Sequence, residues 1–374
     1  MTNSSRVIRP GPVFHVASAL LILLLWSSNN LAALSRQQID QAVTQFTVLA
    51  PQWLTQSGVP GMAVAIVAQG EVVFARGFGV RRLGSPEPVD TQTVFQLASL
   101  SKPLASTLIA ALVGDGVVDW NTPMITLLPD FALSVPAVSA TVTVGDLLAH
   151  RSGLPAHAGD LLEDLGYNQK EVLRRLRWLP LSSFRDSYHY TNFGFTAAAL
   201  GAAVVAKEPW AQAATRRLFE PLGMRHSSFR YADYLSESNR ATIHAFINGH
   251  YVPAYQRNAD AQSPAGGASA NVSDLAAWLQ LQLAGGQFTG KSVVAAKALL
   301  QTHLPQSLSQ PADSEGERSG FYGFGWNINY DEAGRVRLSH SGGFMLGAGT
   351  QVSRNSGKFE PDWLDSLSVS IIFE

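Results

Sequence analysis

Ser99 and Lys102 are the residues whose types and spacing point most directly to covalent chemistry. They stand three positions apart in Ser99-Leu100-Ser101-Lys102, at the start of a predicted helix that runs to Val113, so their side chains share one helical face. A serine hydroxyl becomes a nucleophile when a base removes its proton. A lysine can be that base if burial and the positive end of a helix lower its pKa. A helix-capping serine beside a solvated lysine is the alternative interpretation of this motif.

A second motif is Tyr190-Thr191-Asn192, the only Tyr-x-Asn in the chain. A tyrosine phenol can pass a proton to a leaving group, and an asparagine can bind a substrate amide. Taken alone, an aromatic residue beside a polar turn is more often structural, so this motif adds weight only together with the first.

A third motif, His340-Ser341-Gly342-Gly343, lies at the end of a predicted strand. Glycine allows a substrate backbone to approach a strand closely. The backbone N–H of Gly343 could then join the N–H of Ser99 in an oxyanion hole. In isolation such a tract is most often a turn.

In this order along the chain, the three motifs resemble those of the class C β-lactamase and DD-peptidase superfamily, the penicillin-recognising serine hydrolases. Three further segments look like landmarks of that family, and we interpret them as structural: Leu147–Pro155, Pro221–Met224 and Ala265–Gly267. The resemblance covers nearly the whole chain after its first 33 residues.

The resemblance implies a mixed fold of the α+β type within the α/β class, with an antiparallel sheet flanked by helices and an all-helical lobe. The active site would lie between the two parts. Ser99 would form an acyl-enzyme, Lys102 would take its proton, and Tyr190 would assist proton transfer and activate the deacylating water. The implied substrate-binding residues are Asn192, His340, Ser341 and Gly342, and the implied oxyanion hole is formed by Ser99 and Gly343.

Two features depart from the family pattern. Class C β-lactamases usually carry lysine where His340 stands, and a histidine with an ordinary pKa near 6.5 is mostly neutral at pH 7. A mechanism based on anionic Tyr190 is therefore weakened, and the histidine is more like that of some DD-carboxypeptidases and esterases. The stretch from Asn355 to Asp365 is also unlike the family, and the helix that normally follows the last strand has no counterpart before Glu374.

Local sequence patterns predict the helices and strands around these motifs. Ser35 to Gln38 reads as a capping box that opens a helix to about Gln52. The remaining predicted elements are a hairpin of Gly61–Ala68 and Val72–Gly79, a hairpin of Trp326–Asn329 and Arg335–His340, and a strand at Ser368–Phe373. These strands predict one sheet built from both ends of the chain, with a helical lobe of roughly residues 115–280 inserted between them.

Composition narrows the function classes. The chain has 374 residues, 46% of them hydrophobic, a formal net charge of −1 and no cysteine. It can bury a large core, and it has no disulfide, catalytic thiol or Cys-bound zinc. No basic cluster with interleaved aromatic residues is present, so we predict no nucleic-acid partner. We also predict no metal and no cofactor, and the sequence leaves the oligomeric state open.

The N-terminus has the pattern of a signal peptide. Arg6 and Arg9 precede an apolar run from Val13 to Trp26, and Ala32 and Ala33 follow it. This predicts removal of residues 1–33 and export of residues 34–374 to the periplasm or the cell exterior. An uncleaved segment anchoring the protein in the inner membrane is the alternative, although the run is shorter than the roughly 20 residues that a span needs.

One motif points elsewhere. Gly285 to Ser292 matches the phosphate-binding loop pattern G-x-x-x-x-G-K-[ST], but that loop requires a strand before it and a helix after it. The preceding segment, Val272–Leu283, has the apolar spacing of a helix. We therefore predict a connection between two helices here and no nucleotide site.

The sequence thus predicts a serine hydrolase that cleaves a β-lactam or a D-Ala-D-Ala-type amide of a small-molecule or peptidoglycan-like substrate. An esterase of the same fold is the second enzyme hypothesis. A catalytically inactive homologue that binds peptidoglycan is the alternative from another class. The intact set of Ser99, Lys102 and Tyr190 argues against inactivity, and the unusual C-terminal stretch argues for it.

Overall fold

The computed structural model describes residues 35–344, 347–355 and 367–373. The predicted signal peptide, residues 1–33, and most of the unusual stretch, residues 356–365, lie outside the described residues. Export and cleavage therefore stay predictions. In the part of the chain that the structure describes, no helix is long and apolar enough to cross a membrane.

The strands of the described residues are β1 (Gly61–Ala68), β2 (Glu71–Gly79), β3 (Phe95–Gln96), β4 (Ala245–Ile247), β5 (His250–Val252), β6 (Ser269–Ala270), β7 (Gln287–Phe288), β8 (Lys291–Ser292), β9 (Ser307–Gln310), β10 (Gly320–Tyr322), β11 (Asn327–Tyr330), β12 (Val336–Phe344), β13 (Gly347–Asn355) and β14 (Leu367–Phe373). Eight of them form one antiparallel sheet in the order β2-β1-β14-β13-β12-β11-β10-β9. The C-terminal strand β14 pairs with β1 on one side and with β13 on the other. Both ends of the chain thus build the sheet, as the sequence predicted.

The α-helices in the part of the chain that the structure describes are α1 (Arg36–Ser57), α2 (Ser101–Gly114), α3 (Met124–Leu127), α4 (Pro136–Thr141), α5 (Val144–Leu148), α6 (Asp160–Asp164), α7 (Gln169–Arg175), α8 (Asn192–Ala206), α9 (Trp210–Ala214), α10 (Glu220–Leu222), α11 (Tyr231–Ser236), α12 (Ser263–Gly266), α13 (Val272–Leu283) and α14 (Ala296–Thr302). Those from α3 to α12 form a helical lobe, which also carries the hairpin of β4 and β5. The limits of this lobe as a domain stay a prediction.

Strand β1 separates two hydrophobic cores because successive side chains of a strand point to opposite faces. Ala63, Ala65 and Val67 join the main core with the helical lobe. Val64 and Ile66 join a smaller core beneath α1. All eight residues of the strand are buried, as expected for a strand that is covered on both faces.

Helix α1 begins with the predicted capping box, in which Ser35 and Gln38 exchange side-chain and backbone hydrogen bonds. It ends at Ser57, five residues beyond the predicted end near Gln52. The extension has a packing reason, because Trp53 and Leu54 lie against the smaller core.

The central helix α2 differs from its prediction at the start. Residues Ala98–Leu100 form a turn of 3₁₀ helix, and the α-helix itself begins at Ser101 rather than at Ser99. From Ser101 to Leu112 every residue is buried, because α8, α12 and α14 pack around the helix. The helix therefore holds the residues at its start in a fixed place between the sheet and the lobe.

The segment that matches the phosphate-binding loop follows helix α13, as predicted. The prediction of a simple connection between helices was incomplete, because β7 and β8 form a short hairpin before α14. A helix before the segment and a hairpin within it are the wrong context for phosphate binding, which needs a strand before the loop and a helix after it.

Candidate active site

Ser99 lies in a turn that its neighbours hold in a strained conformation. The preceding residue, Ala98, has a φ of 46°, a left-handed backbone that costs free energy for a residue other than glycine. Thr350 of β13 donates a hydrogen bond to the Leu97 carbonyl (2.7 Å), and Ser101 Oγ donates to the Ala98 carbonyl (2.6 Å). These contacts fix the direction in which Ser99 leaves the backbone.

Lys102 lies next to Ser99 and is fully buried. Its Nζ donates to Ser99 Oγ at 3.2 Å, to Asn192 Oδ1 at 2.7 Å and to the carbonyl of Ala265 in α12 at 2.9 Å. Burial lowers the pKa of Lys102 from 10.5 to about 7, although the charge of Asp160 acts in the opposite direction. A large fraction of Lys102 is therefore neutral at neutral pH and able to accept a proton.

Tyr190 completes the group around the nucleophile. Its phenol hydrogen-bonds the side chain of Ser99, and its ring centroid lies 4.5 Å from Lys102 Nζ. Burial raises the pKa of Tyr190 well above its usual value near 10. The phenol is therefore protonated at neutral pH and suited to donate a proton, which agrees with the expectation that an anionic tyrosine is disfavoured here.

Asn192, the first residue of α8, connects Lys102 to a carboxylate. Its Oδ1 accepts from Lys102, and its Nδ2 donates to Asp160 Oδ2 at 2.9 Å. His157 Nδ1 lies 3.1 Å from the same Oδ2. The predicted substrate-binding amide of Asn192 thus has both of its polar atoms bonded within the site.

Strand β12 passes directly beside the Ser99 turn at Gly342. A methyl group on Gly342 would lie 2.2 Å from the Leu97 carbonyl oxygen and 2.8 Å from the Leu100 nitrogen, so only glycine fits there. Ser341 and Gly343 are exposed on this strand, while His340 and Gly342 are buried. Gly343, the residue after this close approach, is exposed, and its role as an oxyanion donor stays a prediction.

His340 is buried, and its side chain lies on the face of β12 that is turned toward Tyr190 and Tyr322. Its Nε2 lies 2.9 Å from the Tyr322 hydroxyl and its Nδ1 lies 2.7 Å from the Ser341 carbonyl oxygen. Burial, with a smaller effect of the Lys102 charge, lowers its pKa to about 3. The imidazole is therefore uncharged at neutral pH, and both nitrogens have partners within the protein.

Three residues of this site were not identified from the sequence as functional: His150, Asp160 and Tyr322. The ring of His150 lies 4.5 Å from that of Tyr190 and 4.8 Å from that of Tyr322, centroid to centroid. His150 belongs to the segment Leu147–Pro155, which resembled the family but was interpreted as structural. Asp160 and Tyr322 carry no local signal, because the predicted site residues that they contact, Asn192 and His340, are distant in sequence.

The same segment also has the predicted structural role. Arg151 Nε donates to the buried carboxylate of Asp146 at 2.9 Å, and Arg185 Nη2 lies 2.9 Å from its other oxygen. Hydrogen bonds from Arg185 and Arg151 outweigh the effect of burial and lower the pKa of Asp146. This ion pair fixes the loop that carries His150. Among the described residues there is no cluster of His, Asp or Glu that could hold a metal ion.

The chain is similar to a family model, to curated proteins and to solved structures. A family model described as beta-lactamase matches residues 36–357. An unguisins hydrolase of Aspergillus violaceofuscus is 32% identical over 184 residues, which are 47% of this chain and 32% of that protein. Penicillin-binding protein 4 of Amycolatopsis lactamdurans is 32% identical over 178 residues, 46% of this chain and 45% of that protein. The chain thus spans less than half the length of these two relatives.

Among solved structures, the octameric penicillin-binding protein homologue from Pyrococcus abyssi has a TM-score of 0.72 at 21% identity. The match covers 88% of this chain and 73% of that one. It confirms the predicted fold, a mixed structure of the β-lactamase and penicillin-binding protein type. Since the family model also covers most of the sequence, the chain belongs to the beta-lactamase family.

Proposed function

We propose that the protein is a serine hydrolase that forms an acyl-enzyme on Ser99 and cleaves a β-lactam or a D-Ala-D-Ala-type amide. The observation that carries this proposal is the contact of 3.2 Å between Lys102 Nζ and Ser99 Oγ, combined with a lysine pKa of about 7. A general base works best when its pKa lies near the working pH. Lys102 is then the base and Ser99 is the nucleophile.

The reaction proceeds in two stages in this proposal. Neutral Lys102 takes the proton of Ser99 while Oγ attacks the carbonyl carbon, and the backbone N–H groups of Ser99 and Gly343 stabilise the oxyanion. The protonated Tyr190 donates its proton to the leaving nitrogen and recovers one from Lys102. Water then attacks the ester carbonyl, Tyr190 and Lys102 carry its proton to Ser99 Oγ as the ester bond breaks, and the free acid leaves.

The names of the relatives support a hydrolytic or penicillin-binding role, since one is an unguisins hydrolase and another is penicillin-binding protein 4. One observation favours a second candidate, an esterase acting on small acyl esters. His340 is neutral at neutral pH because burial holds its pKa near 3. It therefore supplies no positive charge for a substrate carboxylate at the position where class C β-lactamases usually have lysine, and an uncharged ester does not need one.

The test uses the purified protein and its Ser99→Ala variant with three probes: a fluorescent penicillin, the chromogenic cephalosporin nitrocefin and a p-nitrophenyl acyl ester. Stable labelling by the penicillin, lost in the variant, indicates a peptidase that binds penicillin. Rapid turnover of nitrocefin indicates a β-lactamase. Ester hydrolysis without labelling indicates the esterase. No reaction of Ser99 with any probe would refute the proposal and support an inactive, peptidoglycan-binding homologue.

A further inference from the structure

Asp160 stands behind the site, at the first position of α6, and its carboxylate is largely buried. We propose that Asp160 is a positioning residue for Lys102, which it orients through the side-chain amide of Asn192. The proposal rests on the proposed role of Lys102 as the base.

The hydrogen-bond chemistry of an amide explains the orientation. Asn192 has one acceptor, Oδ1, and one donor group, Nδ2. A carboxylate only accepts hydrogen bonds, so Nδ2 must face Asp160 (2.9 Å), which leaves Oδ1 to accept from Lys102 (2.7 Å). If the amide turned over, its oxygen would face the carboxylate oxygen with no hydrogen between them. Asp160 thus selects the orientation in which Asn192 holds Lys102 beside Ser99.

The second feature is that the charge of Asp160 is only partly satisfied by hydrogen bonds. Its two hydrogen-bond partners among the described residues, Asn192 Nδ2 and His157 Nδ1, both bond to Oδ2. Oδ1 is buried and has no hydrogen-bond partner among the described residues. The field of this carboxylate therefore reaches Lys102, where it favours the protonated amine and opposes the effect of burial.

The other titratable groups that face Lys102 carry no charge at neutral pH. They are His150, from the loop after α5, His340, from β12, and Tyr190, from the loop before α8. Burial lowers the pKa of both histidines and raises that of the tyrosine. Among the residues that the structure describes, Asp160 is thus the side chain whose charge acts on Lys102.

Two substitutions separate orientation from charge. Asp160→Asn keeps an oxygen that can accept from Asn192 Nδ2 but removes the charge, so Lys102 should stay in place and its pKa should fall by about 1 unit. Asp160→Ala removes both, so Asn192 is free to turn over and the rate of acylation should fall at least about tenfold. Asp164→Asn is the matched control, because Asp164 lies on the same helix, is exposed and pairs with Arg257 instead.

The titration of Lys102 is followed directly by ¹³C NMR of protein labelled at lysine Cε. The chain has six lysines, and the spectrum of Lys102→Met assigns the signal. This measurement needs no substrate, so it tests Asp160 even if the proposed hydrolase activity is absent. The rate of acylation of Ser99 is then measured as a function of pH with whichever probe labels the wild type.

The expected result is a Lys102 titration at lower pH in Asp160→Asn, a matching shift of the acylation profile to lower pH, and wild-type behaviour in Asp164→Asn. A residue with only a structural role would change stability without moving this titration. The inference is overturned if Lys102 titrates at the same pH in wild type, Asp160→Asn and Asp160→Ala, or if Asp160→Ala acylates Ser99 at the rate of the wild type.

Discussion

Replacing Lys102 by methionine should make the protein more stable and at the same time abolish acylation. Lys102 is fully buried, and a methionine side chain is unbranched and of similar length, so the position stays filled. The variant removes only the amine that burial penalises. A gain of stability on loss of a catalytic group is the signature of a site where function opposes folding.

The magnitude follows from the pKa. A fall from 10.5 to about 7 is a change of about 3.5 units, which at 1.36 kcal/mol per unit is a penalty of about 5 kcal/mol at pH 7. Losing the amine leaves the Ala265 carbonyl and Asn192 Oδ1 without their donor, which costs about 2–3 kcal/mol. The net gain expected for Lys102→Met is therefore about 2 kcal/mol.

The gain should depend on pH with a definite sign. Between pH 7 and 10.5 the unfolded chain binds a proton at this lysine that the folded protein does not bind, so wild-type stability rises by about 1.4 kcal/mol per pH unit. The advantage of the methionine variant should therefore disappear by about pH 9.

Urea denaturation of both proteins at pH 7 and pH 9 measures this difference, with Lys297→Met at an exposed position of α14 as the control. Substitution at such a surface position should change the free energy of unfolding by less than about 0.5 kcal/mol. A methionine variant less stable than wild type at pH 7, or an advantage that is equal at both pH values, would refute the reasoning.

Three further predictions concern the free energy of unfolding and the rate of acylation. Burial lowers the pKa values of His340 and His150, so both are neutral in the folded protein. Below about pH 6.5 the same histidines gain protons in the unfolded chain, so the free energy of unfolding should fall as the pH drops. His340→Gln should make that fall less steep. Asp146→Asn removes the buried carboxylate that pairs with Arg151 and Arg185 and should cost about 3 kcal/mol in urea denaturation. Asp115→Asn is the control, because the Asp115 carboxylate that pairs with Arg217 is exposed, and it should cost less than about 1 kcal/mol. Gly342→Ala should slow acylation at least about tenfold in a labelling assay, because the new methyl group displaces β12 from the Ser99 turn.

Much of the fold could be predicted because local patterns determined it. The alternating and apolar runs predicted both hairpins, and the spacing of Val272–Leu283 predicted α13 with its observed bounds. The capping box at Ser35 marked the start of α1 correctly. The end of α1 was predicted too early because the contacts of Trp53 and Leu54 with the smaller core depend on the folded sheet, which no local pattern records.

The candidate site was also predicted only as far as local patterns reach. The sequence identified Ser99, Lys102 and Tyr190 by type and spacing, and the fold brings all three into contact. It could not identify Asp160, because its partner Asn192 is 32 positions away and one aspartate in a helical turn has no distinctive pattern. The burial of His340 was likewise invisible, since it depends on Tyr322 from another strand of the sheet.

The central claim is that Ser99 is the residue that becomes acylated, and mapping the covalent adduct by mass spectrometry tests it most directly. The protein is incubated with the fluorescent penicillin and the acyl ester, digested, and sequenced across the peptide that contains Ser99 and the neighbouring buried Ser101. The account predicts one adduct, on Ser99, that is absent from Ser99→Ala and present in Ser101→Ala. An adduct on any other residue, or labelling that persists in Ser99→Ala, would contradict it.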